Sequence, residues 1–417
     1  MVSLTFVNTT GAPVVSRDSA KRIRGHITRT NFAKRRQLKA AEQSSSPPES
    51  SVLADYWLAT PQRVSSGAGL VDQQRSESMV IELWDTMFAH NAQDIRDPEA
   101  RALWLNLICS DPALHDATMA VGMRHWSVDP TWKWTAGIHI HRAVSSLIQR
   151  IASGYAFTDS ALAVAMTLAF GERLNQNDSS WKMHIDGAAQ MIRQRRALGI
   201  TAEPWWFTGL LICDCLNYVM KYSRSYDRSI VEAIGEDGNP DIVQVSEITE
   251  RLAKLRDCIN TCLQDPTSLS ALRETISARV AAMLKELKGL QTHENNEVRA
   301  FSWSAQLLLH LSWQSAPPVD MTMMAKELSH ALDCRPFPPC SYMEITSCPL
   351  MLGALAAEKG SQTRAWFLTK MRQAVMAPQL RGFDTKIEIL RRGMARDDDV
   401  LMKPLRDLWS NEIGVAL

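Results

Sequence analysis

Apolar residues recur three and four positions apart along most of this 417-residue chain. Such spacing places them on one face of an α-helix, as in the run Leu162, Met166 and Phe170. Strand-like alternation of apolar and polar residues is scarce. The pattern therefore predicts an all-α protein built from packed helical hairpins.

Signals for helix ends divide this pattern into segments. Asp97-Pro98 and Asp111-Pro112 each place a capping carboxylate before a proline at the first helical position, and Thr158-Asp159 opens another helix. The Gly-, Asn- and Pro-containing stretch at 234–241 predicts a loop inside the domain. Later helices are expected at 179–198, 204–223, 246–264, 268–289, 296–313, 321–333, 342–357, 361–376 and 385–395.

Composition separates the chain into two parts. Residues 40–51 are polar and rich in Ser and Pro, which predicts a linker. We therefore expect a basic, mostly disordered arm with its linker at 1–51 and one large helical domain at 52–417. The longest apolar run, 161–170, is about half of the roughly 20 residues that span a bilayer, so we predict no membrane partner. No secretory signal precedes the domain, which favours an intracellular protein.

Motifs for metal binding and catalysis are not matched. Cys213 and Cys215, like His139 and His141, are two positions apart, and in a helix such pairs point in different directions. The run HENNE at 293–297 lacks the second histidine of the zinc hydrolase motif. Phosphate-loop, dinucleotide-binding and nucleophile-elbow patterns are also missing. We therefore predict no catalytic residue, no metal ligand and no cofactor.

The strongest local charge lies near the start of the chain. Residues 17–39 contain nine basic side chains and one acidic one, whereas the whole chain has a net charge of only +1. The rest of the chain is therefore mildly acidic. The candidate residues for nuclear import or phosphate contact are Lys21, Arg22, Arg24, Arg29, Lys34, Arg35, Arg36 and Lys39.

Three functions fit this arm. The clusters Lys21-Arg22 and Lys34-Arg35-Arg36 have the spacing of a two-part nuclear import signal, which predicts an importin-type receptor as partner and a nuclear location. The same cations would also give weak, sequence-independent binding to DNA phosphates. A mitochondrial presequence is the third hypothesis, because residues 1–39 are rich in Arg, Ser and Thr.

Two segments of the body and one of the arm match a family pattern. Residues 179–199, SSWKMHIDGAAQMIRQRRALG, carry it at Trp181, His184, Gly187, Ala188, Met191, Ile192 and Arg195. Residues 348–375 carry a second part at Pro349, Leu350, Gly353, Ala354, Ala357 and Arg364, with Cys348 where tryptophan is usual. FVN at 6–8 followed by IRGHITR at 23–29 is the third. Together they resemble the fungal-specific transcription factor domain, the helical regulatory region of fungal zinc-cluster regulators.

This resemblance implies a transcriptional regulator or co-regulator rather than an enzyme, with a helical domain for protein partners or a small effector. Regulators of this class usually carry six cysteines in a binuclear zinc cluster that reads DNA, whereas the first cysteine here is Cys109. We therefore expect a member without that cluster, acting through other transcription regulators or self-association. The alternative is a cytosolic metabolic or accessory enzyme on a helical scaffold.

Helical spacing gives the first signature segment a structural interpretation. Trp181, Ala188 and Ile192 fall on one stripe, which predicts that they are buried. Gly187 is expected to allow close approach of a neighbouring helix, and His184 to bond a carbonyl group from within the core. The signature residues would then identify the family without locating a ligand site.

Overall fold

The computed structural model describes residues 98–126, 130–155, 157–175, 177–220, 227–235, 238–264, 270–313, 319–333, 348–376 and 400–413. All of these belong to one compact unit, residues 66–417. The basic residues between 21 and 39, the linker and the helix predicted at 385–395 lie outside the described residues. Regular structure in the described ranges is helical throughout, without a strand, which confirms the all-α prediction.

The described ranges contain fourteen α-helices. They are α1 Pro98–Ser110, α2 Pro112–Trp126, α3 Pro130–Ala152, α4 Asp159–Leu174, α5 Asp178–Ala197, α6 Phe207–Met220, α7 Asp227–Ile234, α8 Pro240–Gln264, α9 Ser270–Gly289, α10 Asn296–Ser312, α11 Met321–Asp333, α12 Cys348–Ala356, α13 Gln362–Met376 and α14 Met402–Leu408. A single π-helical turn, Trp409–Ile413, continues α14. None of the described helices combines the length and apolar character that crossing a bilayer requires.

Capping groups begin two of these helices as predicted. At the start of α4, the Thr158 hydroxyl oxygen accepts a hydrogen bond from the Ala161 N–H at 3.2 Å. The Asp111 carboxylate accepts hydrogen bonds from the backbone N–H groups of Ala113 and Leu114, at 2.9 and 3.1 Å. It also receives both guanidinium N–H groups of Arg150, at 2.6 and 2.8 Å, which ties the start of α2 to the end of α3. Together these bonds hold the pKa of Asp111 below its ordinary value, despite the opposing effect of burial.

Helices α2 to α5 form the first packed group. Helix α2 packs against α3 and α4, and α4 packs against α5, so that consecutive helices form hairpins. The first half of α4 is buried on all sides, because residues 161–166 are all at most 3% exposed. Such a helix is apolar around its whole circumference, in agreement with the long apolar run read from the sequence.

Helix α10 is the centre of the second group. It packs against α6, α8, α9, α11 and α12, and most of its side chains are buried. Small residues along α10 make this possible, because Ala300, Ser302 and Ser304 leave room for close neighbours. The hydroxyl groups of Ser302 and Ser304 are satisfied by the carbonyl oxygens of Leu287 and Ala300, at 2.6 and 2.7 Å.

One helix start and one whole helix differ most from the sequence prediction. Helix α8 begins at Pro240 rather than at residue 246, because Asn239 caps it by accepting a hydrogen bond from the Asp241 N–H at 3.0 Å. The residues Asn-Pro-Asp therefore start a helix instead of prolonging a loop. Helix α7 was not predicted at all. Its eight residues are too few to show a period, yet its apolar side chains are buried against α5.

Helices α12 and α13 approach each other closely at Gly353. A Cβ atom at this position would overlap the ring of Phe367, which is fully buried on α13. Only glycine therefore fits, and the requirement comes from contact between helices, because Gly353 has no positive φ.

We predict that Gly353→Ala destabilises the protein by about 1–3 kcal/mol, because the new methyl group must displace a packed aromatic ring. Chemical denaturation of the purified chain would measure the change in the free energy of unfolding.

Gly187→Ala is the matched control on α5, since a Cβ atom there meets no atom within 4 Å. We expect this change to stabilise the protein by roughly 0.5–1 kcal/mol, through helix propensity alone. If both substitutions shift stability in the same direction, the proposed crowding at Gly353 is wrong.

Candidate functional site

The first signature segment forms helix α5 and buries one stripe of it. Trp181, Ile185, Ala188 and Ile192 are all buried, and Trp181 is 7% exposed. The predicted stripe is confirmed. These side chains face the core formed with α4 and α7, so their role is to hold the first helical group together.

Trp181 also takes part in a charged contact across three helices. The guanidinium of Arg173, on α4, lies 5.4 Å from the centre of the Trp181 ring. The same group forms a two-point ion pair with Asp214 on α6, with Nη2 to Oδ2 at 3.0 Å. Both partners are largely buried, so the aromatic face and the carboxylate together compensate for removing the cation from water.

Arg195 is the most connected residue of the first signature. It is 7% exposed, and its Nη1 group donates to the Phe157 carbonyl at 2.8 Å and to Asp159 at 2.6 Å. Its Nη2 group donates to the Ala202 carbonyl at 3.0 Å. One side chain therefore joins the end of α5 to the start of α4 and to the loop after α5.

Arg364, in the second signature, has the same arrangement. It is 6% exposed on α13 and donates from Nη1 to the carbonyl groups of Ala354 and Ala357 at the end of α12. Its Nε and Nη2 groups bond the two carboxylate oxygens of Glu412, at 2.9 and 2.7 Å. These bonds lower the pKa of Glu412 and fix the π-helical turn after α14 against α13.

Two expectations about α5 need correction. Gly187 is exposed and no atom lies near the position of a Cβ, so it does not mediate a close helix contact. Gly187 lies on the exposed side of α5, away from the buried stripe of Trp181, Ala188 and Ile192. His184 is half-buried rather than part of the core, and burial lowers its pKa to about 4.

The remaining signature residues in α12 are also buried. Pro349 and Leu350 are buried at its start, and Ala354 and Ala357 are buried at its end. The first signature lies on α5 and contains the buried Arg195. The second lies on α12 and α13 and contains the buried Arg364.

A small cleft lies beside Arg195, between α4, α5, α6 and α7. Its cavity volume is about 20 Å³, which is room for about one water molecule. Its lining combines the apolar side chains of Leu162, Ile192, Phe207 and Ile234 with the polar side chains of Arg195, Arg196, Thr201 and Glu203.

Glu203 connects this cleft to α6 and α8. Its Oε2 atom accepts hydrogen bonds from Thr208 at 3.3 Å and from Asn239 at 3.2 Å. Burial raises the pKa of Glu203 above its ordinary value, although these bonds and the charge of Arg196 partly oppose the effect. The cleft thus contains a carboxyl group with a weakened tendency to ionise beside an arginine.

The histidine and cysteine pairs considered in the sequence do not form a common site. His139 is buried, with Nδ1 2.6 Å from Asp116, whereas His141 is exposed. Among the described residues, no group of three or more His, Cys, Asp or Glu side chains is placed to hold a metal ion. The eight candidate residues of the basic arm all lie outside the described residues.

Sequence patterns did not identify the partners of the signature arginines. Asp159 was recognised only as part of a helix start, and Glu412 was not singled out. Each is more than 30 positions from its arginine, and no local spacing links them. Glu203 was also missed, because its pKa is raised by burial, which the sequence does not show.

The described helices form an all-α scaffold, and each of the two signature segments contains a buried arginine. Residues 88–205 match the sequence model of the fungal specific transcription factor domain, which confirms the predicted family relationship for this segment. No curated protein and no solved structure matches the chain.

We predict that Arg364→Ala costs about 3–5 kcal/mol in the free energy of unfolding, because it leaves Glu412 and two buried carbonyl groups without their donor. Arg251→Ala is the control. Arg251 pairs with Glu286 at 2.8 and 2.6 Å, but the two side chains are 50% and 35% exposed. Its loss should cost no more than about 1 kcal/mol. Equal losses in urea denaturation would contradict the role given to Arg364.

His184 should make stability depend on pH. Its pKa of about 4 in the folded protein lies below the ordinary value of 6.5, so only the unfolded chain takes up a proton between these values. The free energy of unfolding should therefore fall as pH decreases from about 6.5 to about 4, by a total of roughly 3 kcal/mol from this residue.

Denaturant midpoints measured across this pH range would test the effect. His184→Gln should flatten the fall, whereas the same change at the exposed His141 is the control. A parent-like pH profile in His184→Gln would show that the burial of His184 does not set the slope.

Proposed function

We propose that this chain is a nuclear transcriptional regulator or co-regulator. The match of residues 88–205 to the fungal specific transcription factor domain supports a role in transcriptional regulation. It favours a regulator over an enzyme. The signature residues in this segment, including Trp181 and Arg195, stabilise the helical domain, so regulation depends on surfaces that this core presents.

The basic arm supports the nuclear part of this proposal. Its two clusters, Lys21-Arg22 and Lys34-Arg35-Arg36, are separated by eleven residues. An importin-type receptor would bind both clusters through carboxylates in its groove. Once in the nucleus, the same cations would give weak, salt-sensitive attraction to DNA phosphates without reading the sequence.

Selectivity for particular genes would then come from partners. The first cysteine of the sequence is Cys109, within the helical part. We propose that the helical domain joins other transcription regulators, or a second copy of itself, and that these assemblies reach the target genes.

Two measurements together test the proposal. A fluorescently tagged chain should accumulate in the nucleus, and deletion of its gene should change the levels of a defined set of transcripts. A cytosolic protein whose deletion leaves all transcripts unchanged would instead favour a metabolic role.

We predict that replacing Lys34, Arg35 and Arg36 with Ala moves the tagged chain out of the nucleus, because one half of the receptor contacts is lost. Imaging in live cells would measure the ratio of nuclear to cytosolic fluorescence. The matched control replaces Arg279, Lys285 and Lys288, three exposed basic residues of α9, with Ala. This control removes the same charge and should stay nuclear.

A nuclear signal that survives the triple change in the arm would discard the two-part import signal. Loss of the signal in both triple variants would indicate dependence on total charge rather than on the arm.

A further inference from the structure

Two large apolar side chains are exposed side by side on helix α3. Ile148 and Ile151 are each 49% exposed, and they lie one turn apart near the end of the helix. In the described part of the chain, the other exposed large apolar residues occur singly on their helices or lie outside helices. Scattered apolar residues are normal on a protein surface, whereas grouped ones indicate a contact surface.

The two isoleucines belong to a longer row on α3. The row runs through Gly137, His141, Val144, Ile148 and Ile151, with spacings of four, three, four and three residues. This alternation keeps one line of a helix against a neighbouring helix, as in coiled coils. Gly137 and His141 are exposed and Val144 is half-buried, so solvent reaches the row along its length. We name these five residues the α3 seam.

The α3 seam is separate from the face that joins α3 to its own domain. Helix α3 packs against α2 and α4 and buries Ala136, Ala143 and Leu147. Its other exposed side carries the polar residues Arg142 and Gln149. Because water disfavours exposed apolar surface, the seam is the face of α3 that gains from a partner.

We propose that the α3 seam pairs with the same seam of a second copy of this chain, with the two helices antiparallel. The seam matches a helix that has apolar residues at the same spacing, and a second copy supplies one. A two-fold axis between residues 149 and 150 brings Ile148 opposite Ile151 of the second copy, and Val144 opposite Tyr155. Tyr155 is 65% exposed and follows the end of α3, so it can add an aromatic ring to the contact.

The direction of the pair follows from His141. A parallel pair would place this residue opposite its counterpart inside the seam, where two imidazoles lose solvation and repel each other when protonated. In the antiparallel pair, the contact runs from residue 144 to residue 155 and leaves His141 beyond its end. The side chains that face each other are then aliphatic or aromatic.

The size of the seam predicts a weak dimer. Four side chains from each copy cover less than the roughly 800 Å² per partner that stable interfaces bury. We therefore expect a Kd on the order of 10–100 μM. A role of this dimer in regulation rests on the proposed function, which includes self-association, but the pairing itself is a property of the purified chain.

Sedimentation equilibrium of the full chain from about 2 to 300 μM tests the pairing. We expect monomer at the low end of this range and mostly dimer at the high end. Ile148→Glu should raise the Kd at least about tenfold, because it places a charge in an apolar contact. Leu272→Glu is the control, since Leu272 is 45% exposed on α9 and should leave the Kd unchanged. Thermal melts would show that both variants are folded.

A mixing experiment tests the direction of the helices. Ile148→Glu and Ile151→Lys should each associate weakly alone, and an equal mixture should associate more strongly than either. The antiparallel pair brings the introduced carboxylate opposite the introduced ammonium group. A mixture of Ile148→Glu with Ile148→Lys should recover less, because these two positions do not face each other in this arrangement.

Several results would overturn the proposal. The pairing is wrong if the parent chain stays monomeric up to about 300 μM, if Ile148→Glu dimerises like the parent, or if Leu272→Glu weakens the dimer equally. Stronger recovery with Ile148→Lys than with Ile151→Lys would rule out the antiparallel arrangement. Failure of these measurements leaves the nuclear and transcript measurements unaffected. A dimer in a chain whose deletion changes no transcript would count against the proposed function and not against the pairing.

Discussion

Backbone carbonyl groups at the boundaries of buried helices need donors, and in this protein buried arginines such as Arg195 and Arg364 supply them. Arg195 serves the carbonyl groups of Phe157 and Ala202, and Arg364 serves those of Ala354 and Ala357. A carbonyl without a partner in the core costs about 1–3 kcal/mol, so one guanidinium stabilises two helix boundaries together. Asp159 balances the positive charge of Arg195, and Glu412 balances that of Arg364.

These arginines connect parts of the chain that are distant in sequence. Asp159 precedes Arg195 by 36 positions, and Glu412 follows Arg364 by 48. Arg195 fixes α5 to the start of α4, and Arg364 fixes the last described turn to α12 and α13. The two signature segments thus act as local clamps in two helical groups, and the close contact at Gly353 belongs to the second of them.

The burial of the signature side chains gives them a structural role. Since the signature side chains are largely buried, they support the fold and are not available to form a recognition surface.

The sequence by itself determined the helical class, most helix boundaries and the buried stripe of Trp181, Ala188 and Ile192, because each depends on spacing within a single helix. It also carried the family signatures and the charge of the arm. It did not determine that α8 starts at Pro240, since Asn-Pro-Asp is compatible with both a loop and a capped helix. Nor did it show that Gly187 faces solvent while Gly353 faces the ring of Phe367, because the sequence does not show which residue packs against a glycine.

Only the tertiary structure decided which carboxylate pairs with which arginine, and which carbonyl groups they serve. It also brought Arg196 and Glu203 to one cleft and gave Glu203 a raised pKa. These properties depend on burial and on contacts between distant segments. The periodicity of one helix records which face is buried, but it contains no information on what covers that face.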